Sequence, residues 1–171
     1  SLLLNSIIKT NPEVLTIVFC INWDPGYHQL FMNHYAQHSI LFVPYAVQLH
    51  SKNDVLRTKV RLIHECFQKL EQDFIWIDAD SIVLSSLKPL YDLFDKKKKQ
   101  ILVFMRPESK NEYEKVALGV IGFAGLQCSN SDDGTGSPLS RFLNTWLHKI
   151  DADTSTNSHD WFADQIGFYR S

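Results

Sequence analysis

Cysteine, excess charge of one sign and long apolar runs are scarce in this sequence, and each scarcity removes a class of function. Cysteine occurs three times, as Cys20, Cys66 and Cys128. The spacing is not that of a metal site, and two of the three lie in apolar stretches where a thiol behaves as a small hydrophobe, so no disulfide scaffold or zinc module is expected. Excess charge of one sign is missing too: 17 Lys and Arg against 19 Asp and Glu leave a formal net charge of −2. Such a balance offers no basic field to a nucleic acid backbone. The one basic run, residues 96–99, sits between Asp95 and an apolar segment and reads as a solvated turn. No stretch approaches the roughly 20 apolar residues of a membrane span, and the opening Ser1-Leu2-Leu3-Leu4 is too short for a signal sequence. No Asn-x-Ser/Thr acceptor and no internal repeat occur either. The expectation is a cytoplasmic protein with no membrane span in this chain, the alternative being a Golgi or other lumenal catalytic domain whose anchor lies outside it.

What is present is alternation. Residues 14–21 (VLTIVFCI) form a β-branched apolar run of strand length, and Asp24-Pro25-Gly26 supplies turn chemistry after it. A buried first strand is expected there. From Tyr27 on, Leu30, Phe31, His34 and Tyr35 recur at helical spacing, and residues 40–43 make a second strand. Ser51-x-x-Asp54 resembles a capping box, and behind it Leu56, Val60, Ile63, Phe67 and Leu70 trace the stripe of a core-facing helix. A strand from Phe74 follows, then a short helix around 89–94, a strand at 101–105 and a glycine-bearing segment at 116–124. Residues 127–137 (QCSNSDDGTGS) have almost nothing to bury and are expected to form a mobile loop. Ser137-Pro138 then opens a helix with Leu139, Phe142, Leu143, Trp146, Leu147 and Ile150 on one face. At 171 residues and 44% hydrophobic composition, the chain is expected to be a single domain with one core. Strands alternating with helices predict an α/β architecture on a largely parallel sheet, with ligands beyond the carboxyl ends of the strands.

Residues 74–84 read FIWIDADSIVL, an apolar run that delivers Asp78 and Asp80 and returns to apolar residues. A strand alternates faces at every residue, so two carboxylates at i and i+2 leave its end on one side. Like charges that close are costly unless a cation shares them, and hard divalent ions take carboxylate oxygens while keeping positions for substrate phosphates. A phosphate-bridging metal site is one reading; a polar strand-to-turn exit is the other.

Asp78-Ala79-Asp80, preceded by a helix bearing Arg57, Lys59 and Arg61 and followed by Leu118-Gly119-Val120-Ile121-Gly122-Phe123 and Asp164-Gln165, resembles the nucleotide-sugar-dependent glycosyltransferases of the GT-A fold. The resemblance covers roughly residues 14–168. It implies a Rossmann-like mixed, largely parallel sheet flanked by helices, a nucleoside diphosphate-sugar donor with UDP the favoured nucleotide, and Mn²⁺ or Mg²⁺ on Asp78 and Asp80. Asp80 is the principal ligand in that scheme, and Asp78 reaches the metal or the donor ribose. Arg57 and Lys59, expected on the polar side of their helix, reach the donor, as does Gly119, and Asn22 and Trp23 at the end of the first strand meet its base or ribose. Asp164 binds sugar hydroxyls and Gln165 lies at the reaction centre, as in relatives that retain anomeric configuration. Asp160 as general base is the alternative that an inverting route requires. The acceptor, saccharide, lipid or protein, is open, and Trp161, Phe162 and Tyr169 are candidates to stack on a sugar.

Two departures from that family pattern stand out. Ala117 occupies the position where relatives commonly carry Asn, and no histidine follows Asp164 to serve as a third metal ligand. His148 and His159 precede the pair and read as surface and loop residues. A C-terminal truncation of a longer protein is one expectation that meets the second departure. A non-catalytic nucleotide-sugar binding or scaffold domain is another. A haloacid-dehalogenase-type phosphatase, with Asp78 as nucleophile and Asp80 as acid/base, shares the strand-Asp-x-Asp pattern. It wants the motif on the first strand, however, and the one Asp-Asp pair, Asp132-Asp133, lies in the Ser/Gly-rich segment.

Overall fold

The computed structural model describes residues 1–97, 100–110, 115–125, 137–152 and 168. Its contacts separate residues 1–49 with 79–87 from residues 50–78 with 88–171. Asp78 closes a stretch of the second unit, and Ala79 and Asp80 open a stretch of the first.

In the first unit, Leu3, Leu4 and Ile7 repeat at helical spacing and are the buried face of α1 (Leu2–Thr10). No element was expected there. β1 (Thr16–Ile21) follows, then α2 (Pro25–His34), whose N-cap Asp24 accepts a hydrogen bond from the Gly26 amide while Pro25 presets the first turn. β2 (Ile40–Tyr45) pairs with β1 in parallel, Thr16 opposite Ile40 and Ile21 opposite Tyr45. Only Cys20 of β1 is fully buried, so the strand is half-covered rather than the buried one expected. Leu4, Cys20, Tyr35 and Phe42 form the core of this unit, with Ile8, Val18, Phe31 and Ile40 packed against it. The segment 79–87 is held on the end of α1. Asn11, 1% exposed, donates from Nδ2 to the Ser85 carbonyl and accepts at Oδ1 from the Leu87 amide, and Ser6 Oγ accepts from the Val83 amide.

The second unit opens with α3 (Lys52–Leu70), capped as its sequence predicts: Ser51 Oγ accepts from the Asp54 amide and the Asp54 carboxylate accepts from the Ser51 amide. β3 (Phe74–Ile77) leads to Asp78, and α4 (Lys88–Lys97), β4 (Ile101–Met105), β5 (Val116–Phe123) and α5 (Pro138–Ala152) follow. β5 lies between β3 and β4 and runs antiparallel to both. The protein is thus mixed α/β. Its parallel pairing is confined to β1 and β2 among the described residues, where a largely parallel sheet was expected. Local periodicity specifies strands but not the direction in which distant strands meet.

Residues of β3–β5–β4 alternate between two faces. Phe74, Trp76, Ile121, Phe123, Ile101 and Val103 face the core shared with Val60 and Ile63 of α3 and Leu139, Leu143, Trp146 and Ile150 of α5. Phe123 and Trp146 have no exposure, and burial of each such side chain is worth roughly 1.5–3 kcal/mol. On the other face Phe94 of α4 packs so tightly on Gly122 that a β-carbon there would lie 2.7 Å from its ring. No helix of the described residues is long and apolar enough to cross a membrane.

Candidate functional site

Strand periodicity sets the Trp76 and Asp78 side chains on the same side of β3, and they meet: Trp76 Nε1 donates to Asp78 Oδ1 at 2.8 Å. The second oxygen accepts from Lys59 Nζ at 2.9 Å, and the same ammonium donates to the Leu118 carbonyl at 2.8 Å. Lys59 is only 9% exposed. This corrects its expected place on the polar side of α3. Position 59 lies three residues after Leu56 and four before Ile63, on the apolar stripe itself. The buried lysine is therefore legible in the spacing once Lys59 is placed on the same wheel as its neighbours. Burying an ammonium without an opposite charge is strongly unfavourable, and Asp78 supplies that charge.

Gly119 lies across from Asp78. The Asp78 amide donates to the Gly119 carbonyl at 2.8 Å, one step past the last regular pair, Ile77 with Val120. At this level β5 is irregular: Val103 pairs with Ile121 but Phe104 with Ala117, so residues 118–120 bulge from the β4 ladder. Bulges re-aim side chains and concentrate beside functional sites. A β-carbon built on Gly119 would have the Asp78 carboxylate 3.8 Å away, an ordinary contact, so the glycine leaves space beside that group.

The remaining basic residues of α3 are used differently. Two helical residues two apart point about 200° from each other, and Arg57 accordingly faces away from Lys59. Its Nε donates to the Ile150 carbonyl near the end of α5, and its guanidinium pairs with Asp54 at 3.4 Å. Arg61 pairs with Asp151 at 2.8 Å, and His64 shares a hydrogen bond with Asn144 at 2.7 Å. Arg57, Arg61 and His64 thus stitch α3 to α5 along one stripe, while Lys59 alone of these reaches the Asp-x-Asp strand.

In the first unit, Asn22 adopts φ 54°, a left-handed conformation that asparagine tolerates better than most residues. Its side chain continues the parallel ladder beyond β1: Nδ2 donates to the Val47 carbonyl at 2.8 Å and Oδ1 accepts from the Val47 amide at 3.0 Å. Trp23 packs edge-on against Phe31, with ring centres 4.9 Å apart, and keeps 37% of its surface exposed. Asp80 is exposed. Asn11, which anchors the segment following the triplet, carries no sequence signal beyond its position at the end of α1. Asp160, Asp164, Gln165, His159, Trp161, Phe162 and Tyr169 lie outside the described residues, as do Cys128 and residues 127–136 of the expected loop.

A divalent ion was expected on Asp78 and Asp80. Among the described residues no group of three or more His, Cys, Asp or Glu side chains gathers to hold one, and His148 lies exposed on α5. Each Asp78 oxygen accepts one hydrogen bond, from Lys59 or from Trp76, so an ion there would share the carboxylate with the Lys59 ammonium. An apolar cavity of about 140 Å³ between α4 and the sheet, lined by Leu90, Leu93, Ile75, Leu102 and Val120 among others, carries no polar side chain and is a packing gap. Compared with known proteins, the chain matches no family model, no curated protein and no solved structure.

Proposed function

We propose that this chain is a glycosyltransferase of GT-A type that takes its sugar from a nucleoside diphosphate-sugar, with UDP the favoured nucleotide. The observation that carries the reading is the end of β3: the first carboxylate of an Asp-x-Asp triplet, fixed by a buried lysine, beside a glycine-opened bulge of the neighbouring strand. β3 and β4 both run antiparallel to β5, so they run parallel to each other with one reversed strand between them. Both pairings in this three-stranded sheet are antiparallel, with β5 at its centre. Against the phosphatase alternative, two strands, β1 and β2, precede the Asp-x-Asp strand, whereas that motif belongs on a first strand.

In this reading the protein's task is to hold the diphosphate while negative charge builds on the departing oxygen, a burden that cations relieve without proton transfer. Lys59 and Asp78 together are neutral and set the end of the strand; Asp80 is the carboxylate left for Mn²⁺ or Mg²⁺. Asp164 and Gln165 complete the site at the sugar, retention of configuration being favoured. The acceptor is a saccharide, lipid or protein.

One observation favours a second reading. With both Asp78 oxygens engaged by protein donors and Ala117 in place of a polar donor contact, a domain that binds a nucleotide-sugar without transferring it is the alternative. Calorimetric titration of UDP with and without Mn²⁺, on the parent and on Asp80→Asn, tests the site. Binding that needs both the ion and Asp80 is the expected result, and failure of UDP and GDP alike to bind refutes the donor assignment. Sugar release from a bound UDP-sugar then separates the enzyme from the binder.

A further inference from the structure

We infer that Ser6 of α1 and Asn11 at its end are positioning residues that hold the Asp80 carboxylate in place through the segment that follows it. Asp80 belongs to the first unit together with α1, and residues 79–87 form neither helix nor strand. Side-chain hydrogen bonds fasten that stretch to α1 instead. Ser6 Oγ accepts from the Val83 amide at 2.9 Å, three residues beyond Asp80. Asn11 Nδ2 donates to the Ser85 carbonyl at 3.2 Å, and Asn11 Oδ1 accepts from the Leu87 amide at 2.6 Å.

The holding groups are themselves locked. Ser6 Oγ donates its proton to the Leu3 carbonyl at 2.7 Å, which leaves its lone pairs for Val83. Asn11 Nδ2 also donates to Thr10 Oγ1 at 2.7 Å, and that hydroxyl donates to the Ser6 carbonyl at 2.7 Å. One network therefore joins Ser6, Thr10 and Asn11 along a helix whose Leu3, Leu4 and Ile7 are buried. Supporting bonds of this kind keep a binding side chain within the narrow geometry that its ligand needs. Asp80 itself is exposed, so its backbone rather than close packing sets where the carboxylate lies. What the carboxylate is held for rests on the donor reading above; the hold itself does not.

The test is backbone amide relaxation by NMR on the parent, Ser6→Ala, Ser6→Thr and Asn11→Ala, with calorimetric titration of UDP in the presence of Mn²⁺ on the same proteins. The Asp80 amide is expected near the order parameter of rigid backbone, about 0.85, in the parent and in Ser6→Thr, which keeps the hydroxyl. In Ser6→Ala it is expected to fall below about 0.6 while Cys20 in β1 stays rigid. UDP affinity is expected to fall roughly three- to tenfold in Ser6→Ala, the range of one lost hydrogen bond, and to recover in Ser6→Thr. Asn11→Ala removes the other two bonds, is expected to loosen Asp80 in the same way, and is read alone where Ser6→Ala does not fold. Unchanged order at Asp80 in a folded Ser6→Ala or Asn11→Ala overturns the inference. So does an Asp80 already mobile in the parent, or undiminished UDP affinity in a variant whose Asp80 has loosened. A parent that binds neither UDP nor GDP refutes the donor reading alone, and the order of Asp80 still decides the hold.

Discussion

Asn11 Oδ1 accepts a hydrogen bond from the Leu87 amide at 2.6 Å, so a side chain at the end of the first helix terminates the segment that follows the Asp-x-Asp triplet. With Nδ2 on the Ser85 carbonyl, Asn11 satisfies two backbone groups of that segment from a position that is 1% exposed. Replacement by alanine removes both partners; Leu87 is half-buried, whereas Ser85 is exposed and its carbonyl can turn to water, so the main cost is that of one buried group left without a partner, about 1–3 kcal/mol. Asn11→Ala is accordingly expected to lose about 1–3 kcal/mol of stability in urea unfolding. A loss within the scatter of an ordinary surface substitution shows that the segment is not held there.

Acid should unfasten the start of α3. Asp54 accepts from the backbone amides of His50 and Ser51, both at 2.7 Å, and these bonds hold its carboxyl below the usual aspartate range. A folded-state value below the unfolded one adds stability that is fully present above the ordinary value, about 3.9, and is lost as pH falls through the lowered one. The stability gap between parent and Asp54→Ala is therefore expected to be full at neutral pH and to close on acidification below about pH 4. A gap that stays constant into acid contradicts this origin.

Two glycines should respond in opposite ways to the same methyl group. At Gly125 a β-carbon would collide with the Gln72 carbonyl oxygen, and the obstacle is backbone. Gly125→Ala is expected to cost upwards of about 3 kcal/mol, at the far end of overpacking effects. At Gly119 the nearest atom is the Asp78 carboxylate at 3.8 Å, so Gly119→Ala should melt within a few degrees of the parent. If nucleotide occupies the space beside Asp78, that variant binds it more weakly; unchanged UDP affinity would move the donor elsewhere.

Cys66 is buried on α3, and burial, with a smaller contribution from Glu65, pushes its thiol up to about 11. Cys20 is shifted upward by burial as well. The thiolate is the reactive form. Both residues should resist a disulfide reagent at pH 8 in the native protein and react once urea unfolds it, as peptide mapping of the labelled chain would show. Rapid native labelling of Cys66 would contradict its burial.

Local signals in the sequence located most of the elements, because they depend on spacing and caps. The capping box at Ser51 and Asp54, the Ser137-Pro138 helix start and the Leu56-to-Leu70 stripe all reappear as structure. α1 has its signal too, in Leu3, Leu4 and Ile7, although membrane and signal criteria say nothing of it. What local pattern does not carry is partnership across distance. The reversed direction of β5 depends on which strands meet, and the hold of Asn11 on Leu87 joins residues far apart in the chain. The candidate site divides along the same line. Asp78 stands out as a carboxylate at a strand end, but its bond to Lys59 depends on how α3 packs against β5, through Leu118 as well as Asp78.

The strand order β3–β5–β4 also sets the lengths of the loops that folding must close. β5 meets β4 across the connection 106–115, but meets β3 only across everything from 78 to 115. The larger loop adds about 1 kcal/mol of closure entropy. The β4–β5 ladder is thus expected to form first, with the strand that delivers Asp78 joining it afterwards. Its amides should exchange with solvent before those of β4, which makes the ladder that carries Asp78 the first of the two to open.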